Sequence, residues 1–290
     1  MKNKKVLFII LAIVLVAIIA TVAIVLGRNN DSSSDNLDNK NDEGKANVEY
    51  LVDKVEIGDY VDIGIYYTNV ASFESNDYTT TKKELTGWRV LAKNGSGETG
   101  TVTLVSAGCP ITFRHSSSNS ANSVDILKDL YQNITRSEMG AGFREVGFES
   151  DNLQSIFNNA KYIDLSKGVH NLGTSETNDN ILSAYTAITG KTITIKDMYK
   201  QETFGTTTLK EAAGDNWKEN YTDLLANGQD YWLGDETPNK SRMWRISYNG
   251  KIYEGADADY GVRPVVYLQE GVKITSGDGT SSETAYEISK

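Results

Sequence analysis

Residues 6–26 read VLFIILAIVLVAIIATVAIVL, without a charge, a proline or a glycine and with one hydroxyl, at Thr21. No other stretch restricts the chain as strongly. Sixteen of these twenty-one residues are Leu, Ile, Val or Phe. As a helix they span roughly 30 Å, the thickness of a bilayer's hydrocarbon core. At about −0.3 to −0.6 kcal/mol per large apolar side chain, insertion is favoured by on the order of 5 to 10 kcal/mol. A helix apolar on every face for roughly six turns is out of place in a soluble core. The rival is a cleaved signal peptide, whose apolar region runs about 7–15 residues to a small-x-small site. The nearest such site, Thr21-Val22-Ala23, is followed by three more apolar residues, and no cysteine follows closely, as a lipoprotein would need. The reading adopted is an uncleaved transmembrane anchor. Lys2, Lys4 and Lys5 precede it and only Arg28 follows closely. Positive flanks stay inside, so residues 1–5 are a cytoplasmic stub and the rest of the chain lies outside the cell membrane.

Charge narrows the partners of the exported part. Of 29 basic side chains, four precede residue 30, leaving 25 against 39 acidic ones. That excess excludes nucleic acid, whose binding needs a Lys/Arg surface, and docking of the domain itself on anionic lipid. The single cysteine, Cys109, permits no intramolecular disulfide, and the two histidines, His115 and His170, lie 55 residues apart. No CxxC, HExxH or His-x-His spacing exists, so no metal and no cofactor is assigned.

Residues 27–47 form a linker. Within it, GRNNDSSSDNLDNKNDEGK has Leu37 as its only large apolar residue and buries too little to fold. As a flexible coil of about 19 residues it reaches roughly 25 Å. The domain spans 48–290. In it, 57–67 (IGDYVDIGIYY) alternates as a strand, and 85–108 is a hairpin whose turn carries Asn94-Gly95, Gly97 and Gly100. The middle reads as helical: 123–134 and 151–163 by apolar stripes, then 178–189, then 207–228 ending at Asn227-Gly228. Strands return in DYWLG, WRISYNGKIYEG and YGVRPVVYL, with Asn249-Gly250 predicting a two-residue turn between 244–248 and 251–253, and the tail 272–289 forms a short final hairpin.

GDYVDI, GWRVLAKN…VTLVSAGCP and above all DYWLG…MWRISYNGKI…YGVRPVVYLQEGVKITSGDGTSSETAYEI carry a resemblance. Over residues 56–110 and 228–288 the chain resembles a family of uncharacterised surface-protein domains of low-GC Gram-positive bacteria. Its closing part is similar to the C-type-lectin-like fold of formylglycine-generating-enzyme relatives. The resemblance implies an α+β domain with the N- and C-terminal strands together and helices in the middle. It implies no activity. Formylglycine-generating enzymes use a pair of cysteines, and this chain has one.

Candidate chemistry follows from residue types. In AGCPITFRH, Cys109 and His115 make a nucleophile and base only if the chain bends, because six residues of strand span about 20 Å. The reading adopted is a small buried cysteine stopped by Pro110. In YEGADADYG, Glu254, Asp257 and Asp259 have the carboxylate spacing that suits a hard cation, but they complete no EF-hand loop, and the Glu-Pro-Asn and Trp-Asn-Asp sugar motifs of C-type lectins are absent. Aromatics on a closing sheet stack on sugar rings or anchor peptides. Trp244, Tyr248, Tyr253, Asp257 and Asp259 are therefore the candidate ligand contacts. Trp88 and Trp232 are assigned to the core. Arg263, inside an apolar strand, is a structural arginine paired to a carboxylate or to backbone carbonyls. No G-x-S-x-G, SxxK or Walker motif is present.

The expectation is a membrane-anchored cell-surface domain that binds an extracellular glycan, cell wall or protein without catalysis. The alternatives are an exported enzyme using Cys109 and a structural component of an envelope assembly.

Overall fold

The computed structural model describes residues 48–70, 85–131, 142–150, 152–200 and 203–290. The stub 1–5, the anchor 6–26, the linker 27–47 and Ile134 lie outside the described residues. Among the described residues no helix is long and apolar enough to cross a membrane.

The chain forms a mixed α+β domain within the unit Asn47–Lys290. Its strands in order are β1 (Tyr60–Asp62), β2 (Trp88–Asn94), β3 (Thr101–Ser106), β4 (Ile111–Arg114), β5 (Phe143–Val146) and β6 (His170–Asn171). They continue as β7 (Tyr231–Glu236), β8 (Met243–Ile246), β9 (Ile252–Gly255), β10 (Asp259–Val262), β11 (Pro264–Tyr267), β12 (Lys273–Ser276) and β13 (Tyr286–Ser289). The helices are α1 (Leu51–Lys54), α2 (Ser120–Asp129), α3 (Leu153–Asn158), α4 (Asn178–Thr189), α5 (Ile195–Met198) and α6 (Thr206–Ala213).

Two mixed sheets result. One has the order β12-β13-β1-β2-β3-β11-β6, the other β5-β4-β10-β7-β8-β9. The β2–β3 hairpin runs from Trp88↔Ser106 to Asn94↔Thr101, with positive φ at Gly95 and Gly97 turning the chain. The first and last strands are neighbours: β1 pairs β13 in parallel, Val61 opposite Tyr286. The core gathers Trp88, Leu91 and Leu104 of the first sheet with Ile111, Phe113 and Trp232 of the second.

Several expected elements differ. YGVRPVVYL is two strands in two sheets: β10 ends at Val262, β11 starts at Pro264, and Arg263 is the crossing residue. Pro264 has no amide for a ladder, so the run is interrupted there. The helix expected over 207–228 stops at Ala213, because Gly214 takes φ 53°. Two 3-10 turns, Gly214–Asn216 and Glu219–Tyr221, occupy part of the remaining stretch. The carbonyls of Asn220 and Thr222 accept from the Arg89 guanidinium, and that of Leu224 accepts from Arg263. A helix would have used those carbonyls for its own amides.

The helix expected over 151–163 is the short α3. Its Asn152 cap accepts from the Ser155 amide, and Ile163 instead bridges to Leu268. The helix expected over 123–134 begins earlier, at Ser120, and ends at Asp129. The β8–β9 connection is longer than a two-residue turn. The Ser247 amide donates to the Lys251 carbonyl at 2.9 Å and encloses 248–250.

Candidate functional site

The closing strands place the predicted contacts on separate surfaces. Trp244 lies opposite Glu254, and Arg245 lies opposite Tyr253. Neighbours along a strand point to opposite faces, so Trp244 and Tyr253 do not share one. Trp244 stacks on Tyr199, with ring centroids 5.0 Å apart and planes at 20°. The Tyr199 hydroxyl donates to Asp235, and burial pushes this phenol far up. On the other face, the Arg245 guanidinium lies 4.6 Å from the Tyr260 ring and 5.2 Å from the Tyr253 ring, and it pairs with Asp230 at 2.5 Å. Tyr253 is 41% exposed, and Tyr248, in the loop after β8, is 52% exposed.

The acidic residues are engaged by protein groups. Ser117 donates its amide and its hydroxyl to Asp257, at 3.0 and 2.7 Å, and these bonds hold that carboxyl below its usual range. Asp259 meets Arg114 at 3.3 Å and Arg144 at 3.2 Å. Glu254 lies 3.9 Å from Arg242. Among the described residues no group of three or more His, Cys, Asp or Glu side chains is placed to hold a metal ion.

Cys109 and His115 flank β4 at opposite ends. Cys109 is 1% exposed, and burial pushes its thiol up to about 12. His115 is fully buried, its Nε2 lies 3.2 Å from the Ser241 carbonyl, and burial lowers its basicity. Trp88 is buried with Nε1 donating to the Ile65 carbonyl, and Trp232 is buried with Nε1 donating to that of Phe113. Arg263 is fully buried and donates to the carbonyls of Ser106 and Leu224. Of the two partner types left open by the sequence, carbonyls hold it.

A different place has the shape of a site. The strand expected over 57–67 is confined to Tyr60–Asp62, because the chain bends at Gly64, which takes φ 71°; beyond β1, Ile63, Ile65 and Tyr67 are buried and Tyr66 is exposed. Tyr66 is 74% exposed, yet its ring is tethered: the hydroxyl donates to Asp62 Oδ2 at 2.6 Å, while Asp62 Oδ1 accepts from the Gly64 amide at 2.7 Å. The Asp62 bond raises the phenol to about 12. Tyr66 borders two cavities. One, of 540 Å³, is formed with Phe148, Glu149, Ile156 and Asn159. The other, of 260 Å³, is formed with Asp62, Trp88, Ser282 and Glu283. Among the described residues their linings carry Asp62, Glu149 and Glu283 and no Lys or Arg. Concave clefts with a few convergent polar groups are where ligands usually bind.

The sequence reading missed this groove. The alternation in IGIYY does point Tyr66 outward, but the opposite walls come from 147–150 and 156–160 and from the tail at 282–285. No family model, no curated protein and no solved structure matches this chain.

Proposed function

We propose that this chain is a single-pass, N-in membrane protein displaying a C-type-lectin-like domain, residues 48–290, that binds an extracellular ligand without catalysis. The groove at Tyr66 takes that ligand. The 6–26 stretch with lysines on one flank supports the anchor and its orientation. The adjacency of β1 and β13 supports the lectin-like reading of the fold.

One observation carries the binding role: an exposed aromatic ring held by a carboxylate between two cavities. An exposed tyrosine normally loses rotamer freedom when a ligand binds, and the Asp62 bond removes part of that cost beforehand. Cys109, inaccessible and held as a thiol, speaks against a cysteine enzyme.

The test uses the full-length chain in detergent, co-sedimented with isolated cell-envelope fragments. Tyr66→Ala and the groove-filling Asn159→Trp both reduce binding at least tenfold with an unchanged melting temperature. Wild-type retention in both variants overturns the groove as the binding site. Protease added to wall-stripped cells cleaves the domain, and protection of residues 48–290 overturns the orientation.

A further inference from the structure

We infer that the groove recognises an uncharged linear saccharide, one ring stacked on Tyr66 and further rings seated in the two cavities that this side chain separates. The inference rests on the binding reading above and concerns the chemistry of the occupant.

The backbone argues against an added peptide strand. A peptide that extends a sheet needs unused amides and carbonyls along an edge. Here the Gly64 amide donates to Asp62, the Ile65 carbonyl accepts from Trp88 Nε1, and the Thr68 amide donates to the Gly147 carbonyl. Charge argues against an anion, because among the described residues three carboxylates and no cation line the two cavities.

What the groove offers is a ring face and hydroxyl-binding groups. With its phenol donated to Asp62, Tyr66 presents its face, whose negative quadrupole attracts the C–H groups of a sugar ring. Asn159 provides an amide donor and acceptor on one side, and Ser282 and Glu283 provide a hydroxyl and a carboxylate on the other. Sugar hydroxyls both donate and accept, and their bonds to a carboxylate are charge-assisted. Ile65, Phe148 and Trp88 are buried members of the linings, which leaves the exposed Tyr66 ring as the aromatic face open to a ligand there. Two cavities meeting at one aromatic residue call for an occupant longer than one unit.

Calorimetric titration of the full-length chain in detergent reads the claim, with tetra-N-acetylchitotetraose and cellotetraose as neutral probes, their monosaccharides as short probes, and tetralysine and tetragalacturonate as charged ones. At least one neutral tetramer binds, at least tenfold tighter than its monosaccharide. Tyr66→Ala weakens that binding at least tenfold, Tyr66→Trp restores it, and the melting temperature of both variants matches wild type. The saccharide assignment falls if neither neutral tetramer binds up to about 5 mM, if a charged tetramer binds and the neutral ones do not, if a monosaccharide binds as tightly as its tetramer, or if Tyr66→Ala binds like wild type. The two levels separate cleanly. Envelope binding that is lost in Asn159→Trp while no neutral tetramer binds leaves the groove in place and removes the saccharide.

Discussion

Replacing Arg263 with alanine tests how the two sheets are held together. Arg263 is the one residue between β10 of the six-stranded sheet and β11 of the seven-stranded sheet. Nε and Nη2 donate to the Ser106 carbonyl at 3.0 and 2.8 Å, Nη1 donates to the Leu224 carbonyl at 2.9 Å, and the guanidinium lies 5.0 Å from the Tyr231 ring. Alanine leaves two buried carbonyls without these donors, at about 1–3 kcal/mol each, and adds a cavity. It also removes the cost of burying a charge, several kcal/mol, which offsets part of the loss. The net expectation is about 3–5 kcal/mol, the range for breaking a buried charged contact. For a domain of this size that is a fall in melting temperature of about 6–20 °C. Arg263→Met fills the space but donates nothing, so it recovers only the cavity part. Arg263→Lys keeps the charge but lacks the planar fork that reaches both carbonyls, and it stays well below wild type. Thermal unfolding of the full-length chain by circular dichroism measures all three. A shift under about 2 °C for Arg263→Ala refutes the reasoning, as does Arg263→Met matching wild type.

Three further outcomes rest on buried groups and a helix cap. Cys109, 1% exposed and raised to about 12, resists iodoacetamide in the native chain at pH 8 and reacts fully in urea; native labelling at the rate of a free thiol contradicts its burial. His115 is buried, and its folded-state pKa is lowered by burial. Its contribution is therefore complete above the unfolded value of about 6.5 and is lost as pH falls through the lower folded value. The melting temperature of wild type drops more steeply than that of His115→Gln as pH falls below about 6.5, and parallel profiles overturn this. Asn152→Ala removes the side-chain cap of α3 and costs about 1 kcal/mol, read by urea unfolding, with no change in the midpoint as the opposing result.

Local pattern carried a good deal of this fold. The apolar run of 6–26, which lies outside the described residues, is a property of consecutive residues and needs no partner to be noticed. The β2–β3 pair and the tail pair β12–β13 are neighbours in sequence, joined by glycine-bearing turns, so alternation and turn chemistry suffice to place them. Helix lengths were less legible. The apolar spacing in TTLKEAAGDNWKENYTDLLANG suits a helix, but Gly214 and the arginines from β2 and the β10–β11 crossing decide otherwise.

The candidate site shows the same division. Aromatic density drew attention to 244–253, yet cross-strand register puts Trp244 and Tyr253 on opposite faces, and Trp244 is stacked on Tyr199. Side-chain composition cannot reveal register, because a shift of one residue exchanges the faces.

From its residues alone, then, the chain determined a membrane-length apolar segment, a polar stretch poor in large apolar residues after it, and a domain whose strands lie mainly toward its two ends. Only the tertiary structure decided that YGVRPVVYL divides between two sheets and that Tyr66 stands between two cavities. The reason is distance along the chain: the carbonyls that hold Arg263 and the walls that flank Tyr66 come from segments far away in sequence, brought there by burial of a shared core rather than by any local preference.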